Sequence, residues 1–517
     1  MMKHARLWLI TVALCIGIAS CGNDGSNGDD GNNGSSCTVS EAADGTLRLV
    51  CEDGTEAILP TQPGDKTPAD PDGTPSTLIA ISDLPEGDTS CPFGGVRIDM
   101  GADANNNGVL DKDEIDAERA HYLCHSAEFC AGIFSANDLD TLQSCHTIFG
   151  VLEIANSDLQ TLSLPKLTQI LGTGLAIFDN PALTDIQFPK LTKSAEIYIN
   201  ANDALETLSF PEFEALEGMG YSRGDLNISQ NPALTDVQFP KLSRTSGDIL
   251  VTENDALEML SFPELEALES MGYSRNDLNI SQNPALTDVQ FPKLSRTLGD
   301  IYVGGNNALE TLTFPELETL ENIGYYSDGL NVRNNPALTD VQFPKLSRTS
   351  VNINVANNDA LETLSFPELE VLEGLGYSSD GLNVYNNPAL TDVQFPKLTQ
   401  GARIHFSQND ALETLSFPEL EILENMSYIS RGALQIVDHL ALAHIAAPKL
   451  TQVDAWDCSR NESLASFNFA SMSGVYGNFT MVNNPNLPQS DIDDLVTQIE
   501  DRDGISGSTS ASSGNKP

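Results

Sequence analysis

The feature that most constrains this chain is a repeat. Asn180-Pro181-Ala182-Leu183-Thr184-Asp185 returns at Asn231, Asn283, Asn335 and Asn387, in steps of 51, 52, 52 and 52 residues. A sister motif of the form Asn-x-Ala-Leu starts at Asn202, Asn254, Asn306, Asn358 and Asn409, between the first set. The unit therefore alternates coils of about 23 and about 29 residues, and a period of this size means stacked units. Degenerate coils around Asn137 and Asn156 on one side, and Asp438, Asn461 and Asn484 on the other, extend the array over residues 128–488, about fifteen coils in all.

Each coil holds a short strand such as Leu226-Asn227-Ile228-Ser229, whose period of two turns Leu226 and Ile228 inward. Leu234, Val237, Phe239 and Pro240 follow, apolar positions that no single coil can bury but stacked neighbours can. The Asn ending each strand turns the chain, and its amide is expected to bond the next coil's backbone, forming an asparagine ladder. The residue after Phe-Pro alternates in sign, from Lys190 and Glu212 through Lys241 and Glu264 to Glu419 and Lys449. The two signs are expected to face each other up one edge and to favour correct register, because a one-coil slip would oppose like charges.

This strand-turn pattern, with Asn-Pro-Ala-Leu and Phe-Pro-x-Leu, resembles the receptor L-domain family of leucine-rich-like repeats over roughly residues 130–490. The resemblance implies a mainly β fold, a right-handed parallel-strand solenoid that binds ligands or proteins on its faces. The array is longer than a typical L-domain and lacks its internal disulfides, so ligand identity does not carry over. After the repeats, residues 489–503 read as an amphipathic helix capped at Ser490, with Ile492, Leu495, Val496 and Ile499 on one face. It is expected to cap the last coil, and residues 504–517 to form a disordered tail.

The other end reads differently. Residues 1–20 form a signal peptide, with Lys3, His4 and Arg6 ahead of an apolar stretch too short to span a bilayer. Ile18-Ala19-Ser20-Cys21 looks like a bacterial lipobox, which implies lipidation of Cys21 and stable anchoring by several acyl chains. Gly22 and Asn23 follow the cysteine; the absence of an Asp there favours the outer membrane, with the chain exposed at the cell surface. A Gly/Asn/Asp tether (21–36) leads to a disulfide-stapled β-hairpin (37–60), a Pro-rich linker (61–76) and a compact module (77–127). Proximity suggests the disulfides Cys37–Cys51, Cys91–Cys124 and Cys130–Cys145, out of fifteen connectivities for six cysteines. Cys458 is left over as a buried thiol in the last coils.

Within the module, residues 103–114 fit the twelve-residue EF-hand calcium loop. Asp103, Asn105 and Asn107 supply side-chain oxygens, Val109 its carbonyl, Asp111 a water-mediated contact and Glu114 a bidentate carboxylate, with Gly108 at the sharp turn. Upstream, residues 94–101 read as strand rather than as an entering helix, while Glu114 to Leu123 can be helical. The loop is thus EF-hand-like on another scaffold, and calcium would be a structural staple. A second candidate is a stripe of tyrosines ahead of the strands of alternate coils, Tyr221, Tyr273, Tyr325, Tyr377 and Tyr428, able to anchor a protein or stack on a sugar.

Acidic residues number 74 against 26 basic, a net charge of −48, which excludes nucleic acid as a partner because phosphate contacts need clustered Lys and Arg. Seven scattered histidines, no linked nucleophile and no phosphate-binding glycine loop argue against an enzyme. The expectation is a monomeric, non-catalytic surface lipoprotein that binds a protein or glycan. The alternatives are a structural spacer of the envelope and a polysaccharide-binding accessory protein.

Overall fold

A computed structural model describes residues 37–41, 47–51, 56–59, 77–86, 93–102, 104–105, 110–115, 121–124, 129–217, 226–269, 278–321, 329–373, 381–423 and 434–516. The chain divides into two compact units: residues 1–152 with 169–174, and residues 153–168 with 175–517. Cys21 and the rest of the signal and tether lie outside the described residues.

In the first unit, β1 (Cys37–Glu41), β2 (Leu47–Cys51) and β3 (Glu56–Leu59) form an antiparallel three-stranded sheet, one strand more than the expected hairpin. The β1–β2 register sets Cys37 opposite Cys51. A second sheet joins β4 (Thr77–Glu86), β5 (Phe93–Ala102) and β6 (His121–Cys124), all antiparallel. The helix expected up to Leu123 is therefore not formed over 121–124. Residues 121–124 pair with Gly95–Ile98 instead, satisfying backbone groups that a helix would have satisfied internally. The parallel pattern starts with β7 (Phe129–Phe134) against β8 (Thr147–Ala155), and a disulfide joins Cys130 to Cys145 as expected. Asn137 lies in a short 3-10 turn capped by Ser135, not at a coil corner.

The second unit is a parallel-strand solenoid, and one coil explains the rest. Leu226–Ser229 pairs in parallel with Ile249–Thr252 of the next coil, Leu226 opposite Ile249 and Ile228 opposite Val251. The chain turns, crosses a second face as Asp236–Gln238, turns again at Phe239-Pro240 and crosses a third as Arg244–Thr245. Each of these strands also pairs with its counterpart one coil on. Leu226, Ile228, Leu234, Val237, Phe239 and Leu242 are all fully buried, as the inward reading requires. The phenylalanines stack ring on ring up the interior, with centroids 5.2 Å apart for Phe210–Phe239, 5.4 Å for Phe239–Phe262 and 5.0 Å for Phe343–Phe366. Such contacts add about 0.5–1.5 kcal/mol per pair beyond area burial.

The asparagine ladder is present, but each side-chain amide bonds the backbone of the coil before it rather than of the next. Asn231 donates its backbone N–H to Asn254 Oδ1 of the next coil (3.1 Å) and its Nδ2 to the Ile199 carbonyl of the coil before (3.1 Å). The turn itself is made one residue earlier, by Gln230 at φ 56°, and the equivalents include Ala201, Glu253 and Arg460. A left-handed non-glycine residue costs roughly 1–2 kcal/mol, which the buried amide bonds that follow offset. This frame corrects two ladder positions. The rung before Asn180 is Ser157, not Asn156, and the rung after Asn409 is His439, not Asp438, because Asn156 and Asp438 hold the left-handed place.

The charged edge also differs in detail from the alternating column expected. Lys241 meets Glu212, Lys293 meets Glu264, Lys345 meets Glu316, Lys397 meets Glu368 and Lys449 meets Glu419, each at 2.5 Å. Each Lys thus reaches the Glu of the coil before it, giving separate pairs rather than a continuous column. All are about half exposed, so each contributes ~0–1 kcal/mol.

The C-terminal helix spans Gln489–Glu500 and buries Ile492, Leu495 and Ile499, with Val496 part-buried. Pro488, not Ser490, holds the N-cap position, and Ser490 lies inside the first turn. The helix runs after the last second-face strand, Ser466–Asn468, and Gln498 Nε2 donates to the carbonyls of Phe469 and Met472. Residues 504–516 are not a disordered tail. Gly504–Ile505 and Thr509–Ser510 pair with Gly474–Val475 and Phe479–Thr480, and Asn515 supplies the final ladder rung to Asn484. These edge strands had unpaired backbone groups to offer, and the end of the chain takes them up.

Candidate binding face of the solenoid

The three faces of the solenoid differ in how faithfully they repeat. The second face is nearly copied from unit to unit: Asp-Val-Gln stands at 236–238, 288–290, 340–342 and 392–394. Its outward Asp and Gln bond one another, as in Gln342 Nε2 to Asp340 Oδ2 at 2.9 Å and Gln394 to Asp392 at 2.7 Å. The first face does not repeat in this way. Its inward residues hold to Leu, Ile, Val or Phe. In the Asp-Val-Gln coils the second strand residue is Asn each time (Asn227, Asn279, Asn331 and Asn383) while the fourth runs Ser229, Ser281, Arg333, Tyr385, and in the alternate coils the second residue runs Tyr198, Leu250, Tyr302, Asn354, His405. Units this alike, changed at these outward positions, mark the first face as one under separate demands.

The same face gathers the partly exposed rings. Tyr198 meets Phe178 edge-on, with centroids 6.1 Å apart, and Tyr385 stacks on His405 at 6.3 Å. Burial, with Asp179 and Glu196 nearby, raises the Tyr198 pKa. Tyr302 lies along its own strand over Gly304: a Cβ built there would stand 2.7 Å from the tyrosine oxygen. Arg333, opposite Gly304 in the register, places its guanidinium carbon 5.0 Å from the Tyr302 centroid and donates Nε–H to the hydroxyl at 3.1 Å. The glycine thus seats a ring that the arginine clamps. Carboxamides fill much of the remainder and bond across coils, Asn354 Nδ2 to Asn331 Oδ1 at 3.3 Å and Asn386 Nδ2 to Asn357 Oδ1 at 2.7 Å.

The calcium-loop candidates are described in part. Glu114 accepts N–H groups of Asn105 and Asp111, both at 3.1 Å, and Asn105 Nδ2 donates to Asp111 Oδ2 at 2.8 Å. Asn105, Asp111 and Glu114 therefore converge, and the following Ile115 bridges back to Gly101. Asp103, Asn107 and Val109 lie outside the described residues, as do all five stripe tyrosines, Tyr221, Tyr273, Tyr325, Tyr377 and Tyr428, and Cys91. The side chains of Cys37, Cys51 and Cys124 are likewise not described. Among the described residues, no group of three or more His, Cys, Asp or Glu is placed to hold a metal. Cys458 is a buried free thiol, and burial pushes its pKa well up, away from reactivity.

Residues 114–218 match the family model of the Receptor L domain. The likeness covers the first coils and fits a ligand-binding repeat protein, a fold that is typically non-enzymatic. Residues 76–124 match a domain of unknown function (DUF7151), over the sheet that carries the candidate calcium loop. No curated protein matches the chain.

Tyr302 and Tyr385 lie outside the tyrosine stripe: Tyr198 shares the Tyr302 position two units earlier, and Tyr385 does not recur among the equivalent strands. The signal that finds them is a column that varies while its neighbours stay fixed.

Proposed function

We propose that this protein is a non-catalytic, surface-displayed lipoprotein that binds a protein or glycan through the outward side of its first solenoid face. The observation that carries this reading is the contrast between faces: one varies among near-identical units and collects Tyr302, Arg333, Tyr385 and His405, while another is copied almost unchanged. Tyr and Arg are the side chains most enriched at binding hot spots. The membrane anchor is the lipid on Cys21, and the tether places the folded units clear of the bilayer. No helix among the described residues is long and apolar enough to cross a membrane.

In the same reading, Asp103, Asn105, Asn107, the Val109 carbonyl, Asp111 and Glu114 hold calcium. The convergence of Asn105, Asp111 and Glu114 supports this, and oxygen-only donors suit a hard cation. Calcium would act as a staple of the loop.

Display is tested by treating intact cells with protease: the repeats are expected to be shed, and repeats surviving intact would overturn surface exposure. Binding is tested by probing the full chain against a glycan array and a panel of immobilised extracellular proteins. A response abolished by Tyr302→Ala with Arg333→Ser is expected; a response untouched by these changes would remove the face from the reading.

A further inference from the structure

The chain carries 74 acidic residues in 517, yet part of the first face has none. From Asn279 to Val437, the second and fourth positions of the seven successive strands hold no Asp or Glu, and neither do the turn residues from Gln282 to Gln408. Beyond these limits acids return at once, with Glu253 before the stretch and Asp438 and Asp457 after it. The copied second face keeps an outward Asp in every other coil through the same stretch, at Asp288, Asp340 and Asp392. The gap is therefore a property of one face and not of this part of the chain.

What fills the gap is mostly uncharged. Asn279, Asn354 and Gln435 present part-exposed carboxamides, each both donor and acceptor, and Asn331 and Asn383 stand in the same columns but are buried. Two of the amide oxygens, Asn279 Oδ1 and Asn354 Oδ1, are buried without a hydrogen-bond partner, so it is the exposed Nδ2 side of these amides that a ligand would meet. Tyr302, Tyr385 and His405 add rings, and the charge at these positions is that of Arg333; Arg403, just ahead of its strand, donates to Gln435 Oε1 at 2.7 Å, and the acid in that preceding column, Asp300, is fully buried. A carboxylate pressed against an uncharged ligand loses hydration that the ligand does not return, whereas a bonded amide loses far less. A polyanion would meet a net charge of −48 around two arginines, far from the cation cluster that such ligands need. The surface suits a ligand that is uncharged, rich in paired donors and acceptors, and flat and apolar on some of its faces. Those are the properties of a pyranose chain.

We propose that this acid-free stretch is a binding surface for a neutral polysaccharide lying along the solenoid axis. The rows repeat about every 4.8 Å, so a chain in that direction meets a fresh set of amides at each coil. Tyr302, seated on Gly304 and held by Arg333, and Tyr385 on His405 are the stacking platforms, two along the track. This rests on the reading of the first face as the binding face, and it names the ligand class and the part of the face that takes it.

The test uses the full-length protein in affinity electrophoresis through soluble β-1,4-glucan, β-1,3-glucan, mannan and galactan, with polygalacturonate as the anionic comparison. Retardation by at least one neutral polymer is expected, and little change between low and high salt. Tyr302→Ala and Tyr385→Ala are each expected to weaken it about tenfold, the loss of one anchoring aromatic. Gly304→Val, which unseats the Tyr302 ring and also presses on the Arg333 carbonyl, should weaken it similarly, while Gln290→Ala on the copied face should not. Thermal unfolding of each variant establishes that it is folded. Binding to polygalacturonate alone, or neutral binding that survives all three first-face changes, overturns the proposal. If no polymer binds but an immobilised protein does, and Tyr302→Ala abolishes that, the glycan assignment fails and the binding face stands. If neither kind of ligand binds, both fail.

Discussion

Removing a single rung of the asparagine ladder should cost more than most surface charges of this protein together. Asn306 is fully buried, donates Nδ2 to the Ile280 carbonyl at 2.9 Å, and accepts the Asn283 backbone N–H on Oδ1 at 3.2 Å. Asn306→Ala strands one buried donor, the Asn283 N–H, and one buried acceptor, the Ile280 carbonyl, both in the coil before it. At ~1–3 kcal/mol for each group left unsatisfied, the loss is ~2–6 kcal/mol, centred near ~4. Coils are coupled to their nearest neighbours, so opening should centre on the coils of Asn283, Asn306 and Asn335. The adjacent and exposed Asn307→Ala is the control and should change stability by less than ~0.5 kcal/mol. Urea unfolding gives the magnitude, and amide exchange at Asn283 gives the location. A loss below ~1 kcal/mol, or unchanged protection at Asn283, would refute the claim that these amides hold the corners together.

His439 stands where other coils have Asn: its Nδ1 lies 3.2 Å from the Asn409 backbone nitrogen and 3.1 Å from the Asn409 carbonyl. Burial lowers its pKa below the usual 6.5, against the opposing pull of the Asn409 and Phe406 backbone and of Asp410 and Asp438. The unfolded chain therefore takes up the proton first, so this contribution to stability is complete above pH 6.5 and declines as pH falls from there towards the lower folded value. Tm measured from pH 8 to pH 5 should fall less in His439→Asn than in the parent; parallel slopes would dismiss the histidine as the cause. Phe343→Ala, which breaks the stack with Phe314 at 5.3 Å and Phe366 at 5.0 Å, should cost ~3–5 kcal/mol in urea unfolding. Lys345→Ala, half-exposed against Glu316, should cost under ~1 kcal/mol, and even that should vanish in 1 M salt.

The coil period, the inward Leu and Ile of each strand, the buried phenylalanines and the laddered asparagines are legible in the chain because each depends on neighbours a few residues away. Repetition then states the same local rule again and again. Cys458 as a buried thiol follows in the same way, from a strand position that alternation turns inward. The candidate binding face was legible too, but only column by column, and a search for recurring aromatics pointed elsewhere.

What the folded structure decided depends on groups brought together from far apart. The left-handed residue is found beside the Asn, not in it, because the stacked coil over-determines the corner and lets Ala201 or Arg460 serve. Lys345 chooses the Glu of the coil before over that of the coil after, a matter of side-chain reach that alternating sign leaves open. Residues 121–124 become a strand because β5 has an open edge, and residues 504–516 become a last coil because Phe479 and its neighbours do. Neither segment is told apart from a helix or a tail by its own composition. An edge satisfies backbone bonds that no local pattern records, and only the assembled sheet supplies the edge.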